Sequence, residues 1–177
     1  MIELETRRLK LRTVNYDDVQ SIFNNWASDP EVAKYVTWEA HGDISVTKSV
    51  MNYWIEEYRK ENCYRYGIER KEDKELIGMI DVVGYHHGNP VLGYCIGRKY
   101  WNKGYATEAL KAVMDKLIAD GYNELVIEAV DENIGSNRVI LKNGFKLVDT
   151  RETNLSDIKP QIVKINSYRY YANKIKI

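Results

Sequence analysis

The chain has little from which to build a metal centre or a disulfide framework. Its two cysteines, Cys63 and Cys95, are isolated and share no short spacing, so neither a disulfide scaffold nor a zinc site is expected. Three histidines, His41, His86 and His87, fall in no HExxH or related pattern, and no metal is predicted. An excess of one charge is also missing, with 26 Lys and Arg against 26 Asp and Glu. That balance argues against a nucleic-acid partner and leaves a small or locally contacted ligand. No apolar run approaches the roughly 20 residues that span a bilayer, and the start MIELETRRLKLR lacks the apolar core of a secretory signal. A cytoplasmic protein with no membrane partner is expected. Pro/Ser-rich linkers, low-complexity tracts and internal repeats are absent too.

What is present suffices for one core. With 177 residues, 44% of them hydrophobic, a single domain over 1–177 is predicted. ETRRLKLRTV alternates as a half-exposed strand. NYDDVQSIFNNWASDP reads as a helix, with Asn15 as its cap, Asp18 three residues on, Val19, Ile22, Phe23 and Trp26 on one face, and Asp29-Pro30 as its stop. A second helix follows in DISVTKSVMNYWIEEYRKEN, its apolar face drawn from Val46, Val50, Tyr53, Trp54 and Tyr58. Strand signals then recur in CYRYGIERK, LIGMIDVVGY and VLGYCIGR, an antiparallel meander joined by the turns EDKE and HHGNP. After a further helix, capped near Gly121, come the strand ELVIEAV, a short helix ending at Gly144, and the strands FKLVDTRE and IVKINSYRYYA. The expected fold is α+β, a mixed and mostly antiparallel sheet of about seven strands flanked by helices.

The helix after the meander carries the first functional signal. From Ala106, apolar residues recur at Ala109, Leu110, Val113, Met114, Leu117 and Ile118, the period of one buried helical face. The residues before it, YWNKGY, include no Ser or Asp cap. A helix start has free N–H donors and roughly half a positive charge, which suits an anion. Gly104 offers close backbone approach and Lys103 a cation. Neither GxxxxGK[ST] nor GxGxxG occurs, so the phosphate belongs to another ligand class than the P-loop or dinucleotide folds.

WNKGYATEA after a strand ending GYCIGRKY, followed about a strand later by NIGSNRVILKNGF, resembles the GCN5-related N-acetyltransferase superfamily. The branch it is most similar to acetylates the N-terminal amines of bacterial ribosomal proteins; ETRRLKLR, SDPEVAKYVTW and ELIGMIDV are also typical of it, so the resemblance covers nearly the whole chain. It implies a splayed strand pair that holds acetyl-CoA. The pyrophosphate would lie on Trp101, Asn102, Lys103, Gly104, Tyr105, Ala106 and Thr107. The strand at Tyr94, Cys95 and Ile96 would hydrogen-bond the pantetheine and polarise the thioester carbonyl. Asn133 would contact the pantetheine arm, and Ser136 would sit near the sulfur and donate to the departing thiolate. Lys142 meets the 3′-phosphate in this picture, although a lysine in a last helical turn also suits the dipole.

Direct transfer to an amine also needs a proton acceptor. Glu128 on ELVIEAV, Glu152 beyond the Gly-Phe pair and Asp81, the lone charge in LIGMIDVV, are the candidates. The branch's usual glutamate aligns near Leu155, so none is singled out. The tyrosine acid common elsewhere in the superfamily is replaced by Ile140. Cys95 has no histidine partner and reads as a strand thiol. His41 falls in the substrate-side loop, while Tyr35, Trp38, Tyr53, Tyr85 and Tyr94 could line an aromatic acceptor groove. The resemblance thus implies an N-acetyltransferase acting on a protein N-terminus or a small-molecule amine, in a form that can be a homodimer. A non-catalytic acyl-CoA sensor of the same fold shares every phosphate-loop argument and is the alternative.

Overall fold

The computed structural model describes residues 2–172. One sheet of eight strands in the order β1-β2-β3-β4-β5-β6-β8-β7 forms its centre. These strands are β1 Leu4–Glu5, β2 Leu9–Arg12, β3 Arg65–Arg70, β4 Leu76–His86, β5 Asn89–Ile96, β6 Glu124–Val130, β7 Lys146–Asn154 and β8 Ile162–Tyr171. The strand beyond the seven expected is β1, a two-residue edge piece paired to β2. Neighbours are antiparallel except β5 and β6, which run parallel.

The helices are α1 Val19–Ile22, α2 Pro30–Ala33, α3 Ile44–Glu57, α4 Tyr105–Ala119 and α5 Ile134–Lys142. They divide the core in two. Ala109, Leu110, Val113, Met114 and Leu117 of α4, with Ile140 of α5, pack on one sheet face against Ile80, Leu92, Leu125 and Ile127. On the other face Val19, Ile22, Trp26 and Met51 cover Leu76 and Met79. Both sheet faces are therefore apolar at alternating positions, as the period of two requires.

The first helical region is less regular than its apolar spacing suggests. Asn15 caps it in a reciprocal box with Asp18, but α1 gives way to a π turn over Phe23–Ala27. Ser28 explains the wide turn, because its N–H and its hydroxyl both donate to the Phe23 carbonyl, at 3.2 and 2.7 Å. The turn packs tightly against the end of β5. A methyl group on Gly97 would lie 2.4 Å from the Asn25 carbonyl oxygen. Gly97→Ala should therefore cost about 1–3 kcal/mol in urea unfolding. An unchanged midpoint would show that this junction yields.

The apolar face expected for α3 is corrected by the structure. Val46 and Tyr53 are exposed, and Thr47 and Met51 are buried instead. A polar residue can occupy that stripe because the Thr47 hydroxyl lies 2.8 Å from His41 Nδ1. The turns behave as their residues require. His87 and Gly88 take φ of 49° and 81° in the β4–β5 hairpin, while Gly121 and Gly144 end α4 and α5 with φ of 101° and 84°.

Candidate active site

The parallel junction between β5 and β6 is short. Only Val91 with Val126 and Leu92 with Ile127 are in register. Beyond them β5 stays paired to β4 through Gly93, Tyr94, Cys95 and Ile96, and β6 stays paired to β8 through Glu128, Ala129 and Val130. The facing edges separate into a wedge. Unpaired backbone at such an edge needs an external partner.

The wedge leads directly to the start of α4. The Trp101 indole donates to the Ile96 carbonyl at 2.6 Å, which satisfies the last acceptor of β5 and ties the loop to the strand. Asn102 and Gly104 both take left-handed backbone, φ 60° and 79°. Those two turns leave the N–H groups from Asn102 to Thr107 without a protein acceptor among the described residues. Lys103 is exposed beside them and Tyr105 is buried beneath. Successive amides at a helix start form an anion cradle, and the donor set fits a diphosphate.

Across the wedge stands α5. Asn133 caps it, its side chain accepting from Ser136 N–H at 3.1 Å. Tyr94 of β5 reaches over to Ser136, with its hydroxyl 2.9 Å from Ser136 Oγ and 3.4 Å from the Ser136 carbonyl. The carbonyl can only accept, so Tyr94 can donate to it and receive the serine proton. Burial pushes the Tyr94 phenol up to about 12, and it is a neutral hydroxyl at pH 7. Ile140 is fully buried in the core and offers no chemistry. Lys142 is exposed at the other end of α5 from Asn133.

Asn137, to which the sequence pattern assigns nothing, holds this corner together. Its amide donates to the carbonyls of Val130, Asp131 and Asn133, at 3.0, 3.2 and 2.8 Å. Its carbonyl accepts from the Tyr168 hydroxyl at 2.5 Å and from Asn166 at 3.1 Å.

The three candidate carboxylates are not gathered together. Asp81 and Glu128 share the sheet face opposite α4 and lie on the strands flanking β5, with Gly93 between them at the point of splay. Glu128 is held by Arg151 at 2.9 and 3.0 Å. Asp81 is held by Arg65 at 2.9 Å. Desolvation outweighs that partner and raises the Asp81 carboxyl above the usual carboxylate range. Glu152 lies on the other face, two residues from Thr150, whose hydroxyl bonds Asn166 beneath α5. That orientation separates Glu152 from the other two carboxylates.

Desolvation raises the Cys95 thiol to about 12, which disfavours the thiolate a nucleophile needs. His41 is engaged by Thr47 and pressed toward the neutral form by burial. Three of the aromatics have partners of their own: Trp38 leans on His41, Tyr53 on Arg65 and Tyr85 on Tyr122. The β7–β8 loop is tied to the end of α2 and the segment after it. Lys159 Nζ donates to the carbonyls of Ala33 and Lys34 at 2.6 and 3.1 Å, and Ser156 Oγ to that of Thr37 at 2.8 Å.

Residues 8–146 match the family model described as an acetyltransferase (GNAT) domain, and the chain belongs to that family of N-acetyltransferases. It is 33% identical over 153 residues to an uncharacterized N-acetyltransferase, YoaA, of Bacillus subtilis (strain 168), covering 81% of this chain and 82% of that one. Among solved structures it is similar to the self-immunity acetyltransferase MccE in complex with acetyl-CoA and AMP, with a TM-score of 0.83 and 19% identity over 94% and 93% of the two chains. It is likewise similar to RimL, a ribosomal alpha-N-protein acetyltransferase in complex with coenzyme A, with a TM-score of 0.83 and 16% identity over 97% and 99%. Those two likenesses establish the fold. No helix among the described residues is long and apolar enough to cross a membrane.

Proposed function

We propose that the protein transfers the acetyl group of acetyl-CoA directly to a primary amine, a protein N-terminus or a small molecule. One observation carries this reading. The unpaired edge of β5 runs into the free amides of Asn102 to Thr107, and Trp101 joins the two. A ligand with a linear, amide-bearing arm and a diphosphate suits that path, and CoA has both. When bound, acetyl-CoA supplies the thioester that the amine attacks. The protein's own groups do the rest. The Asn102 to Thr107 amides and Lys103 hold the diphosphate. The free edge of Gly93 to Ile96 orients the arm and presents N–H to the thioester oxygen.

Ser136 is the proposed proton donor to the leaving thiolate; Tyr94 holds its hydroxyl across the wedge, and the serine regains its proton from solvent once the thiol has formed. Asp81 and Glu128, on the face the amine approaches, are the proposed carboxylates that attract an ammonium group and accept its proton. A raised carboxyl such as Asp81 is a stronger base than an ordinary one. Sensing of acyl-CoA without chemistry would use the same cradle but not the Ser136–Tyr94 pair.

Thiol release from acetyl-CoA, measured with peptides of varied N-termini, polyamines, amino acids and aminoglycosides, tests the reading. Turnover is expected on one amine class. Ser136→Ala should lower kcat roughly 100-fold and leave the calorimetric Kd for CoA nearly unchanged. CoA binding without turnover on any amine would favour the sensor.

A further inference from the structure

We propose that Arg8, outside both loop motifs, is a positioning residue that sets the amide cradle for a diphosphate through Lys103 and Glu108; this rests on the acetyl-CoA reading above. Arg8 precedes β2, yet its side chain spans the start of α4. Its Nη1 donates to the Lys103 carbonyl at 2.9 Å. Its Nε donates to Glu108 Oε2 at 2.7 Å, and its backbone N–H to Glu108 Oε1 at 2.9 Å. Thr6 Oγ1 adds a third donor to the Glu108 carboxylate, at Oε1 and 2.6 Å. The guanidinium lies 4.5 Å from the centre of the Tyr105 ring, and Arg70 Nη1 donates to the Tyr105 hydroxyl at 3.3 Å.

The consequence follows from peptide geometry. Each carbonyl and the next N–H lie in one plane and point in opposite directions. Fixing the Lys103 carbonyl toward Arg8 therefore aims the Gly104 N–H away from Arg8, into the cradle. A loose loop would leave that carbonyl free to turn inward, where it would repel an anion. Glu108 is the counter-anchor. Its carboxyl is held below the usual range by Thr6 and Arg8, against the opposing effect of burial. It is ionised at neutral pH and keeps the guanidinium in register. Arg8 Nη2 has no hydrogen-bond partner among the described residues and stands 3.4 Å from where a Gly104 methyl would sit. This adds positive charge at the cradle's rim.

Two acyl donors separate this role from a merely structural one. Acetyl-CoA uses the cradle, and S-acetylpantetheine lacks the diphosphate. Arg8→Gln should raise the KM for acetyl-CoA and the Kd for CoA about 10- to 100-fold. It should leave kcat and the rate with S-acetylpantetheine close to wild type. Glu108→Gln should act in the same direction, because it releases the guanidinium. Arg8→Lys keeps the charge but cannot bridge the carbonyl and the carboxylate together, so it should remain impaired. Full recovery with lysine, equal losses on both donors, or no loss on either would overturn the proposal. A wild-type protein that binds no CoA would instead contradict the acetyl-CoA reading.

Discussion

Gly104→Val should abolish measurable CoA binding while the protein stays folded. Gly104 has φ 79°, in the left-handed region where a β-branched residue is a genuine outlier. The cost lies in the backbone rather than in crowding, since the methyl position meets only the end of the Arg8 side chain, Nη2 at 3.4 Å. The valine peptide would swing toward negative φ and carry the Lys103 carbonyl and the following amides with it. The cradle is built from donors made available by consecutive left-handed turns at Asn102 and Gly104, so losing one misaligns several at once. A drop of at least about 100-fold in CoA affinity is expected, equivalent to roughly 3 kcal/mol. The loop is exposed, so thermal unfolding should move much less than binding. Unchanged calorimetric affinity would remove the loop assignment.

Asn137→Leu and Asn137→Asp should destabilise the protein by about 3–5 kcal/mol and lower Tm by roughly 10–15 °C. Asn137 is buried and donates to three carbonyls while accepting two hydrogen bonds. Leucine matches its bulk but leaves the Tyr168 hydroxyl and the Val130 carbonyl without that partner. Aspartate keeps the shape and turns a donor into an oxygen facing three carbonyls, so it should be the worse of the two. Because the same amide anchors the segment Val130 to Asn133, Ser136 should lose alignment and kcat should fall even in protein that remains folded. Differential scanning calorimetry on both variants checks this. Wild-type Tm in the aspartate variant would show that the network contributes little.

Much of the fold is legible along the chain because its signals are local. The apolar period after Ala106 defines α4, and the short, nearly continuous apolar runs LIGMIDVV and ELVIEAV define β4 and β6, strands covered on both faces. Gly104 and Gly121 occupy positive-φ positions at the two ends of α4, as glycine's lack of a Cβ allows. Irregularities arise where distant or polar contacts override periodicity. Thr47 enters the α3 core because His41 satisfies it, and the π turn forms because Ser28 offers the Phe23 carbonyl two donors.

The site divides in the same way. The amide loop is one short segment and its motif is visible. The Tyr94–Ser136 contact spans 42 residues, the Arg8–Glu108 contacts about 100. No spacing rule predicts either. Glu128 faces away from Ile127 and Ala129 because strand neighbours alternate, whereas the face of Glu152 is set by the long-range register of β7 against β8.

The most direct test of the cradle and wedge is an amide-resolved NMR titration of the isotopically labelled protein with CoA. The backbone N–H signals of Asn102 to Thr107 and of Gly93 to Ile96 should show the largest shifts, moving together at one affinity, while the β7–β8 loop changes little. Large shifts confined to other segments, with those two stretches unmoved, would contradict CoA binding at the wedge and the transfer chemistry built on it.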